Sequence, residues 1–199
     1  MMPRLCRRIA TAAALTLALV LPAGAEVRDA DQPRLEAFDA IFGQALRDAL
    51  ESGSREDVSV LTEALSGAPM PGTVGVGDWR CRTIKMGGLL PLVSYQDFDC
   101  RISRDEGSET YTLEKLTGSQ RTVGTLTARP QDMLYTGVGY VGTQPATTYG
   151  DLPEDQVPIE PGQTVPQVGY FEQMSETRAR LLLPAPLLES NFDILYLTR

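Results

Sequence analysis

Two periods divide this chain. Between Pro33 and Leu50 the apolar residues Leu35, Phe38, Phe42, Ala45, Leu46 and Ala49 recur at spacings of three and four, which puts them on one stripe of a helix over 33–50. A second, shorter helix is predicted to begin at Ser54, with Asp57 in the capping-box position. It carries Val58, Leu61 and Leu65 on one stripe and stops at Gly67. The segment APMPG then breaks the chain. Both stripes read as docking faces against the domain that follows, because an amphipathic helix buries its apolar side by packing.

From Gly77 onward the period becomes two. Eight strands are predicted, at 78–87, 94–103, 109–116, 121–129, 132–141, 167–174, 178–184 and 191–198, mostly joined by short turns such as DEG at Asp105 to Gly107 and TGSQ at Thr117 to Gln120. Short connections make consecutive strands antiparallel neighbours. A sheet of eight exposes two edges unless the first strand meets the last, and eight strands close into a barrel just wide enough to fill with side chains or to hold one small ligand. The expected fold is therefore mainly β: an eight-stranded antiparallel up-and-down barrel over 72–199, preceded by two amphipathic helices within 26–71. The stretch 143–165, rich in Pro, Gly, Asp and Glu, reads as an acidic loop over one barrel mouth.

The first hairpin carries a register. If Cys81 faces Cys100, then Trp79 faces Ile102, Thr83 faces Phe98 and Arg82 faces Asp99. Trp79, Cys81, Thr83, Phe98, Cys100 and Ile102 share one face, and Arg80, Arg82, Asp97, Asp99 and Arg101 share the other. One side is apolar and one is charged, as a half-buried hairpin requires, and a slip of one residue would destroy that separation.

Residues 1–25 change the setting. Arg4, Arg7 and Arg8 precede an apolar run from Ile9 to Leu21, and Ala23, Gly24 and Ala25 close it, the form of a secretory signal peptide cleaved after Ala25. The run is too short to span a bilayer, and no later segment reaches the length a span needs. Cys6 leaves with the leader, so Cys81 and Cys100 remain as the only pair in an exported chain, where a disulfide is the expected state. The leader holds none of the acidic residues, so the mature chain is more acidic than the net charge of −8 of the whole sequence. An acidic surface repels phosphate backbones and anionic lipid, which disfavours nucleic-acid or membrane-surface work.

Gly77-Asp78-Trp79 at the start of the first strand resembles the Gly-x-Trp signature of lipocalins and related calycins. That resemblance implies that Trp79 plugs the barrel floor beneath a cation, which Arg199, Arg178 or Arg180 would supply. The blocks GDWRCRTIK, FDCRI, LEKLTGSQRTVGTL, VGY at Val168 to Tyr170 and ESNFDILYL are similar to the exported bacterial proteins known as domain of unknown function 4893. That resemblance spans nearly the whole mature chain. It implies the periplasm of a Gram-negative bacterium and brings no activity with it.

Candidate chemistry is sparse. The sequence has no histidine, which removes Ser-His-Asp and Cys-His nucleophile machinery and most zinc or copper sites. Ser119 has no base nearby in sequence and reads as a turn residue. GVGYVG at Gly137 to Gly142 matches a dinucleotide fingerprint, but TQPATTYGD follows where a helix should begin, so Gly137, Gly139 and Gly142 read as points where a strand bends or bulges. No cofactor is expected. Glu114 and Glu172 lie in apolar-alternating strands where a charge needs a partner, and Lys115, Arg121 and Arg180 are the cations that would provide one. Asp151, Glu154 and Asp155 are oxygen donors of the kind calcium takes, but without the spacing of a calcium loop they read as solvated, and no metal is expected.

Three functions fit this frame. The first is non-enzymatic binding of a small apolar or amphipathic ligand in the barrel, with Tyr95, Tyr111, Tyr140 and Tyr170 as candidate lining residues. The second is a periplasmic inhibitor or protein-interaction module of the lysozyme- or protease-inhibitor kind, and the third a hydrolase using carboxylates alone.

Overall fold

The structure, a computed structural model, describes residues 27–145, 147–154 and 163–199; the leader and Asp155 lie outside them. Eight antiparallel strands follow in chain order: β1 Gly77–Met86, β2 Leu92–Ser103, β3 Thr110–Lys115, β4 Gln120–Ala128, β5 Met133–Val141, β6 Val165–Ser175, β7 Arg178–Pro184 and β8 Phe192–Thr198. Each pairs with the next, and β8 returns to β1 from Arg80 opposite Thr198 to Met86 opposite Phe192, closing an up-and-down barrel. Closure leaves no sheet edge unpaired.

The interior is built by alternation. Trp79, Cys81, Ile102, Leu113, Leu126, Tyr135, Phe171, Leu181, Leu195 and Leu197 point inward and form one core. On β8 the pattern ceases to alternate, since Phe192, Asp193, Ile194, Leu195, Tyr196 and Leu197 are all buried. The cause lies outside the barrel. Phe192, Ile194 and Tyr196, with Ile84 and Met86 of β1 and Leu182 of β7, form a second core with the helices. Strands covered on both faces bury every side chain.

Those helices are α1 Gln32–Glu36, α2 Phe38–Ser52 and α3 Arg55–Leu65. The single helix expected over 33–50 is broken at Ala37, where the backbone leaves the helical region. The break separates two docking tasks. Arg34 of α1 donates to the carbonyls of Pro166 (3.2 Å) and Pro184 (3.3 Å), whereas Phe38 and Phe42 of α2 pack on Phe192. Helices and barrel thus share a core across 71/72, and the helices lean on the wall rather than cover a mouth.

Both ends of α3 are tied to the barrel. The Ser54 hydroxyl accepts from Asp57 N (3.0 Å), and the Asp57 carboxylate accepts from Ser94 N of β2 (2.9 Å). At the other end Arg180 donates to the carbonyls of Ala64 (3.2 Å) and Leu65 (2.6 Å), and Arg178 to those of Glu63 (2.5 Å) and Ser66 (3.0 Å). Two β7 guanidiniums therefore supply donors that the last turn of a helix lacks.

Three expectations need correction. The β1–β2 register is displaced by two residues, with Trp79 opposite Cys100, Cys81 opposite Phe98 and Arg82 opposite Asp97. A displacement of two preserves the faces, so apolar and charged sides remain as expected. Cys81 and Cys100 are diagonal neighbours with Cα atoms 5.8 Å apart, a span a disulfide bridges, and they are joined inside the barrel. Past Arg82 a bulge sets Tyr95 and Gln96 against Thr83, so Ser94 turns outward to meet Asp57.

β5 has no bulge at Gly137 or Gly139, because its register with β4 and β6 runs without a shift, whereas Gly142, at φ +106°, turns the chain just past its end. A Cβ on Gly137 would lie 2.4 Å from the Tyr135 hydroxyl, and one on Gly124 2.6 Å from the Tyr135 ring, so these glycines make room for a large inward side chain. Finally, the described part of 143–165 divides: Gln163 and Val165 border the lumen at its mouth, whereas the part around Tyr149 lies away from it. Tyr149 and Leu152 are buried on the outer wall with Leu35, Leu134, Val138 and Val168. The Tyr149 hydroxyl donates to Asp31 (2.9 Å) and accepts from Arg28 N (3.2 Å), which holds the segment there.

Candidate functional site

The lumen has two unlike halves. At the end where β1 begins it is solid: Trp79 is 3% exposed and packs with the disulfide, Leu197 and Ala179. The indole donates to Gly75 O (2.8 Å), and the Arg199 guanidinium covers the ring at 4.1 Å. Of the three arginines proposed to cover Trp79, Arg178 instead lies over Tyr196, and Arg180 pairs with Glu172.

A polar layer ends the solid half. The fully buried Tyr135 hydroxyl bonds to the Thr122 hydroxyl (2.6 Å), which also meets the Gln167 side chain. Burial pushes the Tyr135 phenol well above its ordinary pKa, despite the bond to Thr122. Beyond this layer, at the opposite mouth, lies a cavity of about 90 Å³. Leu183, Leu195 and Val165 give it an apolar side, and Lys85, Lys115 and Gln167 a polar one. That volume admits several water-sized groups and is smaller than a drug-sized pocket, typically about 300 Å³ or more.

Lys85 and Lys115 are the only lysines in the sequence, and both are buried against this cavity, at 8% and 5% exposure. Lys85 lies between Asp193 (3.3 Å) and Glu189 (3.4 Å), and Ser190 donates to Asp193 (2.6 Å). Burial works against the Lys85 charge, but the two carboxylates outweigh it and hold its pKa above the ordinary lysine value. Lys115 is held differently. Its ammonium donates to the carbonyls of Thr117 (3.1 Å) and Gln120 (2.6 Å) and sits 3.8 Å from the centre of the Phe98 ring. Gly118, at φ +92°, folds the turn over it, where a Cβ would come within 2.8 Å of Lys115 Nζ. Burial pulls the Lys115 amine down to about 8, with Arg121 and Lys85 adding like-charge repulsion.

The rim around this mouth is apolar and exposed. The β1–β2 turn projects Leu89 (80% exposed) and Leu90 (55%), and Val141 and Leu187 are also exposed. Leu89 N donates to Glu189 O (3.0 Å), fastening that turn to the β7–β8 loop. In that loop Ala185 and Glu189 adopt positive φ (44° and 70°), a conformation non-glycine residues seldom take.

The family model described as Domain of unknown function (DUF4893) matches residues 24–197. The chain belongs to this family. No curated protein and no solved structure matches it.

Within this DUF4893 barrel the sequence-derived candidates scatter. Tyr95 is exposed in the β2 bulge; Tyr111 packs against the core at the Trp79 end, with Arg104 over its ring; Tyr170 faces outward against Phe38. Only Tyr140 borders the mouth cavity, so the four tyrosines line no common pocket. Tyr170 instead borders an outer hollow of about 530 Å³ beside Phe38, Met70 and Arg129.

Glu172 and Arg180 form an ion pair at 2.5 Å, directed to the helices rather than to the lumen. Glu114 lies on the outer face opposite Arg101 and within reach of no cation at ion-pair distance among the described residues. Arg121 donates to Gly118 O (3.2 Å) at the cavity mouth. Ser119 is exposed in its turn. Asp151 accepts from Thr148 (2.7 Å), and Arg28 donates to the backbone carbonyl of Glu154 (3.2 Å). Among the described residues no group of three or more His, Cys, Asp or Glu is placed to hold a metal, and no helix is long and apolar enough to cross a membrane.

Sequence reasoning missed Lys85 and Asp193 as a pair, and it missed Gln167. A signal was present in the scarcity of lysine: two among 18 basic residues, both on strands at inward positions.

Proposed function

We propose that this protein is exported to the periplasm, where its barrel binds a small amphipathic molecule at the open mouth without transforming it. One observation carries the reading: the half-filled lumen ends in a cavity with leucine and valine on one side and lysine and glutamine on the other. A ligand with one polar end and a compact apolar body matches both sides. Its size excludes a long chain held wholly inside. The acids nearest the cavity, Asp193 and Glu189, are both engaged by Lys85, which supports binding over hydrolysis by carboxylates.

Native mass spectrometry of protein purified from its host's periplasm tests this. A small-molecule adduct lost on replacing Leu195 with Phe, which fills the cavity, is the expected result. An unliganded protein whose melting temperature no small amphiphile raises would overturn it.

The exposed Leu89 and Leu90 favour a second reading, a protein partner seated on the rim. A heteromeric complex in the same spectra, abolished by Leu89→Asp with the fold intact, would establish that reading instead.

A further inference from the structure

We infer that the mouth cavity is a receptor for a small organic carboxylate, its charged end beside Lys115, Lys85 and the Gln167 amide and its apolar body against Leu183, Leu195 and Val165. This rests on the ligand-binding reading and names the ligand's class.

Three observations converge on it. The two lysines of the chain are both turned into one small cavity, in a protein whose net charge is −8. Their surroundings are unequal. The carboxylates of Asp193 and Glu189 meet Lys85, on β1, whereas Lys115, on β3, has Phe98 of β2 against it and feels Arg121 of β4 and Lys85 as like charges. No acid among the described residues comes within ion-pair distance of Lys115 or Arg121. An anion at this side of the cavity would offset Lys115 and Arg121, the two cations there that no described carboxylate meets.

The third observation is the supply of donors. Asp193 and Glu189 take two of the three Lys85 N–H groups. The Gln167 oxygen is taken by Thr122, which leaves its NH₂ facing Gly139, where a side chain would block it: a Cβ on Gly139 would lie 2.9 Å from Gln167 Nε2. A carboxylate accepts through two oxygens and suits a pair of donors with positive potential behind them. The leucine and valine side then selects an organic acid over an inorganic anion, which has no apolar surface to bury.

The low Lys115 pKa fits this arrangement, since bound carboxylate would restore the charge that burial opposes. Affinity should therefore fall as pH rises past about 8.

Because the chain has two lysines, protein labelled with ¹³C at the lysine Cε positions gives two side-chain signals. Butyrate and its neutral counterpart butyramide are the probes. The expected result at pH 7 is a saturable shift of the Lys115 signal with butyrate, a rise in its titration midpoint, and affinity weaker by roughly tenfold or more at pH 9.5. Butyramide leaves the signal in place. In Lys115→Met the remaining Lys85 signal no longer responds to butyrate; should that variant fail to fold, the pH dependence of the wild-type protein decides. Equal binding of butyramide overturns the carboxylate anchor while leaving a ligand site. A neutral compound co-purified in the cavity does the same. A Lys115 signal unmoved by either probe overturns the inference.

Discussion

The Arg199 guanidinium covers the Trp79 ring at 4.1 Å, and the same side chain donates to the carbonyls of Val76 (3.0 Å) and Glu176 (2.9 Å). One residue thus joins the entry of β1, the β6–β7 turn and the indole at the solid end of the barrel. Replacing Arg199 with Ala should cost about 1–2 kcal/mol, from the cation–π contact and the lost carbonyl donors. Trp79 is the single tryptophan, so its emission should shift to the red in the same variant. Urea denaturation followed by that emission checks both; an unchanged midpoint with unchanged emission would show that the contact contributes nothing.

Arg180 holds α3 to the wall through two helix carbonyls and Glu172. Arg180→Met keeps most of the apolar stem but removes every donor. A loss of about 2–3 kcal/mol is expected, less than for a fully buried pair because Glu172 retains some access to water. Hydrogen exchange should quicken across 55–65 while the strands keep their protection. Uniform quickening would mean that α3 and the barrel open only together.

In the first turn of α3 the Asp57 carboxylate accepts from the Ser54 hydroxyl (2.7 Å), the N-cap of that helix, and from Ser94 N of β2 (2.9 Å). Partial burial opposes its charge, yet the hydrogen bonds from Ser94 and Ser54 hold its pKa below the usual carboxylate value. With the folded value depressed, its contribution is present above the ordinary carboxylate pKa and is lost as pH falls through the folded one. Asp57→Ala leaves the Ser54 cap in place and should cost about 1 kcal/mol at neutral pH, from the lost hydrogen bonds to Ser54 and Ser94. Thermal melts of the two proteins should converge toward pH 2, and a constant separation down to that pH would refute the linkage.

Lys115 gives a slope of the same sign in a more alkaline window. Its folded pKa of about 8 lies below the ordinary 10.5, so between these values the unfolded chain holds more proton than the native one. Stability from this group therefore rises with pH across that window, by up to about 3 kcal/mol. In Lys115→Met that term is absent. Denaturation at pH 7.5 and pH 10 should show the difference between the two proteins moving in the wild type's favour, and a flat difference would rule out the depressed pKa.

The strands were legible because alternation survives wherever one face meets water. On β1 and β2 the charged set Asp78, Arg80, Arg82, Asp97, Asp99 and Arg101 forms exposed ion pairs opposite the lumen, and that contrast marks both strands. Register was less legible. Two cysteines bond as readily from diagonal as from opposed positions, so their pairing fixes the face and leaves a displacement of two open.

The helices' stripes announced a packed face without saying which surface received it. The uninterrupted apolar run Ile194 to Leu197 was the place to look, since a strand apolar on both sides needs cover on both. The cavity was hidden for another reason. Lys85 and Asp193 are neighbours on β1 and β8, more than a hundred residues apart in sequence, and only closure brings them opposite each other.

The inward turn of both lysines leaves arginine as the sole carrier of side-chain positive charge on the outside. Reagents that acylate or crosslink primary amines find almost nothing to attack there beyond the α-amino group. Acylation at either lysine would thus record the barrel mouth breathing wide enough to admit a reagent.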